Sequence, residues 1–293
     1  MAAFRLCAFA DEADSNLLGQ IEALRANSIG MIELRGVNGK SVADLTDGEA
    51  REAAKALAGG GIGIWSMGSP FGKYPIGEPF APHREKFERG LELCGILGAD
   101  KMRMFSFYMG EGEDPASRRS EVIDRVGEMI GLADAAGVKL HHENERGIYG
   151  DVAERCVDLT GAFGDRMDFV FDPANFLLCG ARIRGAYEGL KDRITYLHLK
   201  DAEAEGGAIV PCGEGDGEIP WLIERLTGRE GEVTLSIEPH LAVFDGLKGL
   251  QGEGLTHKYA YPSKRAAFDA AADALKAVLR GAGFEEEAGA WRR

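Results

Sequence analysis

The hydrophobic pattern alternates between two kinds of segment along the whole chain. Short apolar runs, typical of buried strands, are each followed by a stretch in which apolar residues recur at helical spacing. The apolar runs predict eight strands, at residues 4–10, 31–34, 62–66, 101–107, 138–143, 167–172, 194–200 and 232–238. The helical spacing predicts eight helices, at residues 16–26, 48–58, 83–97, 115–136, 152–163, 181–192, 220–226 and 264–279.

This alternation predicts an α/β fold, a single (β/α)8 TIM barrel. Successive strands begin roughly 27 to 39 residues apart, the length of one strand–helix unit. Such units pair in parallel through right-handed crossovers, and eight of them close into a barrel. We expect one domain over residues 1–293, with a frayed tail at about 285–293. The alternative, an open doubly wound sheet, would place a glycine-rich phosphate loop after the first strand, where residues 10–14 read Ala-Asp-Glu-Ala-Asp.

Composition and charge narrow the function classes. Hydrophobic residues make up 45% and charged residues 28% of the 293, the balance of a soluble globular protein. The formal net charge of −14 opposes binding to nucleic acid or to an acidic membrane surface. Five scattered cysteines without a C-x-x-C pair argue against disulfides and thiolate zinc sites. The run at 4–10 is too short and too acidic at its end for a signal peptide. We therefore expect a cytoplasmic protein with no nucleic-acid or membrane partner, and the final helix and apolar loops suggest a homodimer.

Polar residues mark the carboxyl ends of the last four predicted strands. Catalytic groups of TIM barrels lie at this end, and here the four strands finish in Glu143, Asp172, His198 and Glu238. Three carboxylates at one mouth repel each other unless a cation is bound. A divalent metal held by three oxygens and one nitrogen fits the set, and Mn²⁺, Mg²⁺ or Co²⁺ suits it better than a thiolate-seeking ion, with Zn²⁺ allowed. Taken singly, each residue is equally compatible with a hydrogen-bonded or solvated side chain.

Motifs along most of the chain carry a family resemblance. They are Ala8-Phe-Ala-Asp-Glu12, Ile32-Glu-Leu-Arg35, Ser69-Pro-Phe-Gly-Lys73, Glu143-Asn144 with Gly150-Asp151, Asp172-Pro-Ala-Asn175, His198-Leu-Lys-Asp201, Gly213-Glu-Gly215 and Ile237-Glu238-Pro239. In this order and spacing the chain resembles the xylose isomerase-like TIM-barrel superfamily, often called the sugar phosphate isomerase/epimerase family, over about residues 4–280. The motifs are specific to the superfamily and not to one substrate.

The resemblance implies a metal centre and a proton-transfer reaction. In the family's epimerases a Glu, an Asp, a His and a second Glu bind one divalent metal. The matching residues here are Glu143, Asp172, His198 and Glu238. The two glutamates then form the acid/base pair on opposite faces of the substrate. We expect one metal per chain, with Mn²⁺ favoured, and a keto-sugar isomerase or epimerase that removes a proton next to the carbonyl through an ene-diolate.

The chain departs from the family's sugar-binding pattern at two places. Asn175 stands where epimerases of free ketohexoses often have a His, and residues 201–205 replace a region that often carries an Arg. The metal chemistry therefore carries over better than the sugar specificity. Acidic residues between the glycines of 213–217 disfavour an anion there, so we expect a tight turn or lid and an unphosphorylated sugar. The candidates for substrate contacts, each also explicable as a surface charge or loop hydrogen bond, are Arg35, Lys73, Arg103, Glu145, Asn175, Lys200 and His240.

Three other functions stay open at this point. Loss of a β-oxygen after the same proton removal would make the protein a metal-dependent lyase or dehydratase on a keto-sugar or keto-glycoside. An endonuclease IV-like DNA repair enzyme needs three metals and further histidines, whereas the second, third and fourth predicted strands end in no His. A non-catalytic sugar-binding barrel would not need a complete ligand set.

Overall fold

The computed structural model describes residues 3–242 and 256–293 and confirms the single (β/α)8 barrel. Each strand pairs in parallel with the next, and the eighth pairs in parallel with the first from Ala3↔Glu232 to Ala8↔Ile237, which closes the barrel. The strands are β1 (Ala3–Ala8), β2 (Met31–Leu34), β3 (Gly63–Gly68), β4 (Lys101–Met104), β5 (Lys139–Glu143), β6 (Met167–Phe171), β7 (Ile194–Leu199) and β8 (Glu232–Ile237).

Helices surround the barrel, and several of them begin at a side-chain cap. Asn16 accepts the backbone N–H of Leu18, and Asp114 accepts that of Ala116 with a proline in the first turn, so both helices begin at a defined residue. The helices are α1 (Leu17–Ala26), α2 (Asp47–Gly59), α3 (Phe80–Leu97), α4 (Pro115–Ala136), α5 (Ala153–Phe163), α6 (Pro173–Leu178), α7 (Ile183–Leu190), α8 (Ile219–Leu226) and α9 (Lys264–Gly281). Among these nine helices, α6 was not predicted, because six residues are too few to show a helical period.

Short accessory strands extend the carboxyl end of the barrel. Gly36–Val37 and Lys40–Ser41 form a small hairpin after β2. Asp201–Ala202, Ala208–Val210 and Thr256–His257 form a separate three-stranded sheet beyond β7 and β8. These segments follow the strand ends that carry the candidate chemistry, so they build the rim of that site.

The C-terminal tail forms a hairpin, whereas the sequence predicted fraying at 285–293. Glu285–Glu287 and Ala290–Arg292 form an antiparallel hairpin, which pairs with β1 at Phe4↔Trp291. Trp291 is only 2% exposed, and Phe284 packs on Phe4 with ring centroids 4.9 Å apart. Burial of these aromatic side chains holds the tail against the amino end of the barrel. In the described ranges, no helix is both long enough and apolar enough to cross a bilayer.

Candidate active site

The four predicted metal ligands converge at the carboxyl end of the barrel. Glu143 ends β5, Asp172 follows β6 and caps α6, His198 lies near the end of β7, and Glu238 follows β8. All four are buried, and one ligand atom from each lies within 4.8 Å of the others. Parallel strands deliver these residues to one place because their carboxyl ends share one end of the barrel.

His198 lies among the carboxylates of the cluster. His198 Nδ1 lies 2.9 Å from Glu143 Oε1 and 3.3 Å from Glu238 Oε2. Burial alone would lower the pKa of His198, but the carboxylates of Glu143, Glu33 and Glu238 raise it well above its usual value. Burial raises the pKa of Asp172 to about 7, with Lys200 opposing and the neighbouring carboxylates reinforcing the shift. A donor set of three oxygens and one nitrogen with these charges fits a divalent cation.

Basic side chains contact the carboxylates of the cluster. Arg103 Nη1 lies 3.1 Å from Glu143 Oε2, and Arg103 also donates to the backbone carbonyls of Gly68 and Ser69. Lys200 Nζ lies 3.0 Å from Asp172 Oδ2. These contacts fix the carboxylates in place and partly neutralise them.

A cavity of about 390 Å³ opens beside the cluster, lined by both acids and bases. Lys73 and Glu145 form an ion pair of 2.6 Å on its wall. Five of the seven predicted substrate residues line the cavity, namely Arg35, Lys73, Arg103, Glu145 and His240. The other two contact the ligand set instead: Lys200 reaches Asp172, and Asn175 donates from its backbone to Asp172 and from Nδ2 to the carbonyl of Asn144. The arrangement brings all seven to the mouth, and their roles stay predictions.

A second acidic group adjoins the first and shares Glu238. Glu12, Glu238 and His240 also place possible ligand atoms within 4.8 Å of one another. Arg35 already supplies a cation there, with its guanidinium 3.1 Å from Glu12 Oε1 and 2.8 Å from Glu238 Oε1. This guanidinium compensates the carboxylates of the second group, as Arg103 and Lys200 partly do for the first.

The glycines at 213–217 are engaged by an internal carboxylate. Asp201 is fully buried and accepts backbone N–H groups from Ala202, Gly213, Gly215 and Gly217. A Cβ on Gly215 would lie 2.4 Å from Asp201 Oδ1. The turn expected at this position is therefore built around Asp201, and these amides are not available to a phosphate.

Sequence reasoning missed Glu33, a buried acid in β2. Its Oε2 lies 3.0 Å from His198 Nε2, on the side of the ring away from the other ligands. The available signal was a lone acid inside the otherwise apolar Ile32-Glu-Leu34 run. His142, by contrast, lies where alternation along a strand places it, away from the cluster with Nε2 2.9 Å from Ser106 Oγ.

Comparison with known proteins now identifies the family. The sequence matches the family model described as xylose isomerase-like TIM barrel over residues 21–253. The chain belongs to this family. No curated protein sequence matches the chain.

Solved structures of this xylose isomerase-like fold superpose on nearly the whole chain. A zinc-binding IolI protein has a TM-score of 0.74 at 15% identity, covering 94% of this chain and 98% of its own. The probable 3-DHS dehydratase AsbF from Bacillus anthracis has a TM-score of 0.70 at 16% identity, covering 94% and 99%. An L-ribulose 3-epimerase has a TM-score of 0.69 at 19% identity, covering 97% of each chain. At these identities the likeness shows the fold.

Proposed function

We propose that this xylose isomerase-like barrel is a divalent-metal-dependent enzyme that moves a proton next to the carbonyl of an unphosphorylated keto-sugar, as an isomerase or epimerase. One observation carries the proposal. Two buried glutamates, Glu143 and Glu238, reach the same nitrogen of His198 from different strands, within a four-residue set that fits a metal.

The two glutamates are suited to act as a proton-transfer pair. A divalent cation in this set would polarise the substrate carbonyl and lower the cost of negative charge on its oxygen. One carboxylate then removes the proton from the adjacent carbon, and the other returns a proton from its own side. Arg103 holds Glu143 and Arg35 holds Glu238, which fixes the direction from which each carboxylate approaches.

The charges around the cavity favour an uncharged substrate. Four basic residues at the mouth are already paired with a carboxylate at 2.6 to 3.1 Å: Arg35, Lys73, Arg103 and Lys200. A phosphate would have to break such a pair, and the amides of the glycine turn are occupied by Asp201. A Lys–Glu pair such as Lys73–Glu145 instead offers a donor and an acceptor side by side, which suits neighbouring sugar hydroxyls.

Elimination is the second candidate reaction. AsbF is a probable dehydratase with the same fold, and Asn175 replaces a histidine that family epimerases often carry. Removal of the same proton, followed by loss of a β-oxygen, would give a lyase or dehydratase acting on a keto-sugar or keto-glycoside. The identity of the product separates the two reactions.

Turnover in D₂O tests the proposal. Free ketoses and keto-glycosides are offered to Mn²⁺-loaded protein, and NMR locates any deuterium in the product. We expect label at the carbon next to the carbonyl. Glu143→Gln and Glu238→Gln should each lower turnover roughly a hundredfold or more. The matched control is Glu52→Gln on the exposed side of α2, which should leave turnover unchanged.

Two results would contradict the proposal. A product without carbon-bound deuterium would indicate hydride transfer or a different reaction. Elemental analysis showing only a trace of divalent metal, both as purified and after incubation with Mn²⁺, would remove the metal from the mechanism.

A further inference from the structure

Glu33 is a fully buried carboxylate that lies beneath the candidate metal ligands. It stands in β2, 0% exposed, and is not among the residues that line the cavity. Burying a carboxylate is costly unless hydrogen bonds compensate it. A barrel interior does not need such a group for packing, so its partners should show what it does.

Three donors from two distant strands converge on this one carboxylate. The Tyr196 hydroxyl donates to Glu33 Oε1 at 2.8 Å, and the Ser236 hydroxyl donates to Oε2 at 2.8 Å. The third partner is His198, whose Nε2 lies 3.0 Å from Oε2. Tyr196 and Ser236 therefore hold the carboxylate in the position from which it meets the imidazole.

The imidazole of His198 is bound on both of its nitrogens. Nε2 faces Glu33, while Nδ1 faces Glu143 and Glu238 at 2.9 and 3.3 Å. The edge of the Phe9 ring packs on the imidazole at 5.1 Å, so the ring plane is also fixed. A histidine ligand must be neutral at the coordinating nitrogen and commonly donates its other N–H to a carboxylate.

We propose that Glu33 is a positioning residue of the metal centre. Its carboxylate accepts the Nε2–H of His198. When a metal displaces the proton from Nδ1, this hydrogen bond fixes the tautomer and points the Nδ1 lone pair toward the space shared by Glu143, Asp172 and Glu238. Glu33 touches neither the cavity nor the ligand carboxylates through its own hydrogen bonds, so it acts through His198. The inference rests on the proposed metal dependence and adds a residue that the four-ligand set does not include.

Metal affinity, measured without any substrate, tests the inference. Metal-free protein is titrated with Mn²⁺ by calorimetry, and Co²⁺ absorption spectra report the ligand geometry. Glu33→Gln keeps the size of the side chain. Its amide, however, cannot accept hydrogen bonds at both terminal atoms as the carboxylate does for Tyr196, Ser236 and His198. We expect its Kd for Mn²⁺ to rise 10- to 100-fold, the usual effect of losing such a partner, together with an altered Co²⁺ spectrum.

Glu52→Gln, exposed on α2, is the matched control and should leave the Kd for Mn²⁺ unchanged. Tyr196→Phe removes one donor to Glu33 but leaves the Glu33–His198 contact, so its Kd should rise less than that of Glu33→Gln. Urea unfolding of each metal-free variant identifies any loss of fold. If Glu33→Gln is unfolded, Glu33→Asp, which withdraws the carboxylate by one methylene, takes its place and should also weaken Mn²⁺ binding.

The tautomer of His198 distinguishes a positioning role of Glu33 from a purely structural one, because a structural role would not decide which ring nitrogen carries the proton. In the Zn²⁺-loaded wild type, ¹⁵N NMR should show the proton on Nε2. A proton on Nδ1, or a folded Glu33→Gln variant with wild-type Kd, would overturn the role of Glu33 while leaving the proposed function intact. Failure of the wild type to bind Mn²⁺, Co²⁺ or Zn²⁺ would instead overturn both.

Discussion

At the scale of single residues, His83 holds one wall of the cavity through an unprotonated nitrogen. Its Nε2 accepts the backbone N–H of Gly72 at 3.0 Å, and its ring stacks on Tyr74 at 4.7 Å. Burial, with smaller effects of Lys86 and Arg125, lowers the pKa of His83 from 6.5 to about 4. The loop that it anchors carries Lys73, so the neutral form of His83 supports the substrate side of the site.

We predict that this histidine makes the protein less stable in mild acid. The unfolded chain takes up the proton near pH 6.5 and the folded protein only near pH 4. The neutral histidine therefore contributes fully to the free energy of unfolding above pH 6.5. This contribution is lost as the pH falls toward 4, by up to about 3 kcal/mol. Urea unfolding between pH 7 and 4.5 measures how steeply the free energy of unfolding falls with pH. His83→Gln keeps an acceptor and does not titrate, so its slope should be shallower, and equal slopes would refute the assignment.

The residues that could be predicted from sequence are those that stand at the ends of strands. Glu143, Asp172, His198 and Glu238 follow apolar runs, so a barrel alone brings them together. Glu33 was missed because its partners, Tyr196 and Ser236, lie more than 160 residues away. Local sequence does not show such pairings, and only the closed sheet creates them.

At the scale of elements, the segment after β7 is organised by Asp201. Four backbone N–H groups point at its carboxylate, three of them from the glycine turn that leads into α8. A negatively charged acceptor satisfies this many donors better than a neutral one. The turn thereby holds a fixed conformation beside the mouth of the barrel.

We predict that Asp201→Asn loosens this segment and destabilises the protein. The amide group of Asn turns a donor toward N–H groups that need an acceptor, at a cost of about 2 to 3 kcal/mol. The matched control is Asp216→Asn, since Asp216 Oδ2 accepts the Ala204 N–H in an exposed position and should matter little. Urea unfolding gives the free energies, and limited proteolysis reports opening of the turn. Equal stability of the two variants would show that the carboxylate does not organise the turn.

Long elements were predictable and short ones were not. The bounds of β2 and α4 agree with the hydrophobic pattern at both ends, because a strand with three of its four residues buried and a helix of twenty-two residues both stand out in that pattern. The strands at Lys40–Ser41 and Asp201–Ala202 have two residues each and show none. Their pairing depends on neighbours that the barrel brings close.

At the scale of the whole molecule, the two ends of the barrel have different tasks. The carboxyl end carries the ligand set and the cavity, as expected for this fold. The amino end is covered by the C-terminal hairpin, whose Trp291 is buried against β1. The closed barrel was predictable from eight repeated units. The hairpin was not, because its first strand is three exposed glutamates and gives no apolar pattern, although it pairs with the strand that carries the buried Trp291.

This division predicts opposite effects for substitutions at the two ends. Trp291→Ala should lower the free energy of unfolding by about 3 kcal/mol or more through loss of buried aromatic surface, while the Kd for Mn²⁺ stays unchanged. His198→Ala should abolish tight Mn²⁺ binding, because it removes the nitrogen donor of the ligand set. Glu286→Ala, exposed and directly opposite Trp291 in the hairpin, is the stability control and should change little. Urea unfolding and Mn²⁺ calorimetry on all three variants separate the effects. Weakened Mn²⁺ binding in a folded Trp291→Ala protein would show that the amino end of the barrel is coupled to the ligand set.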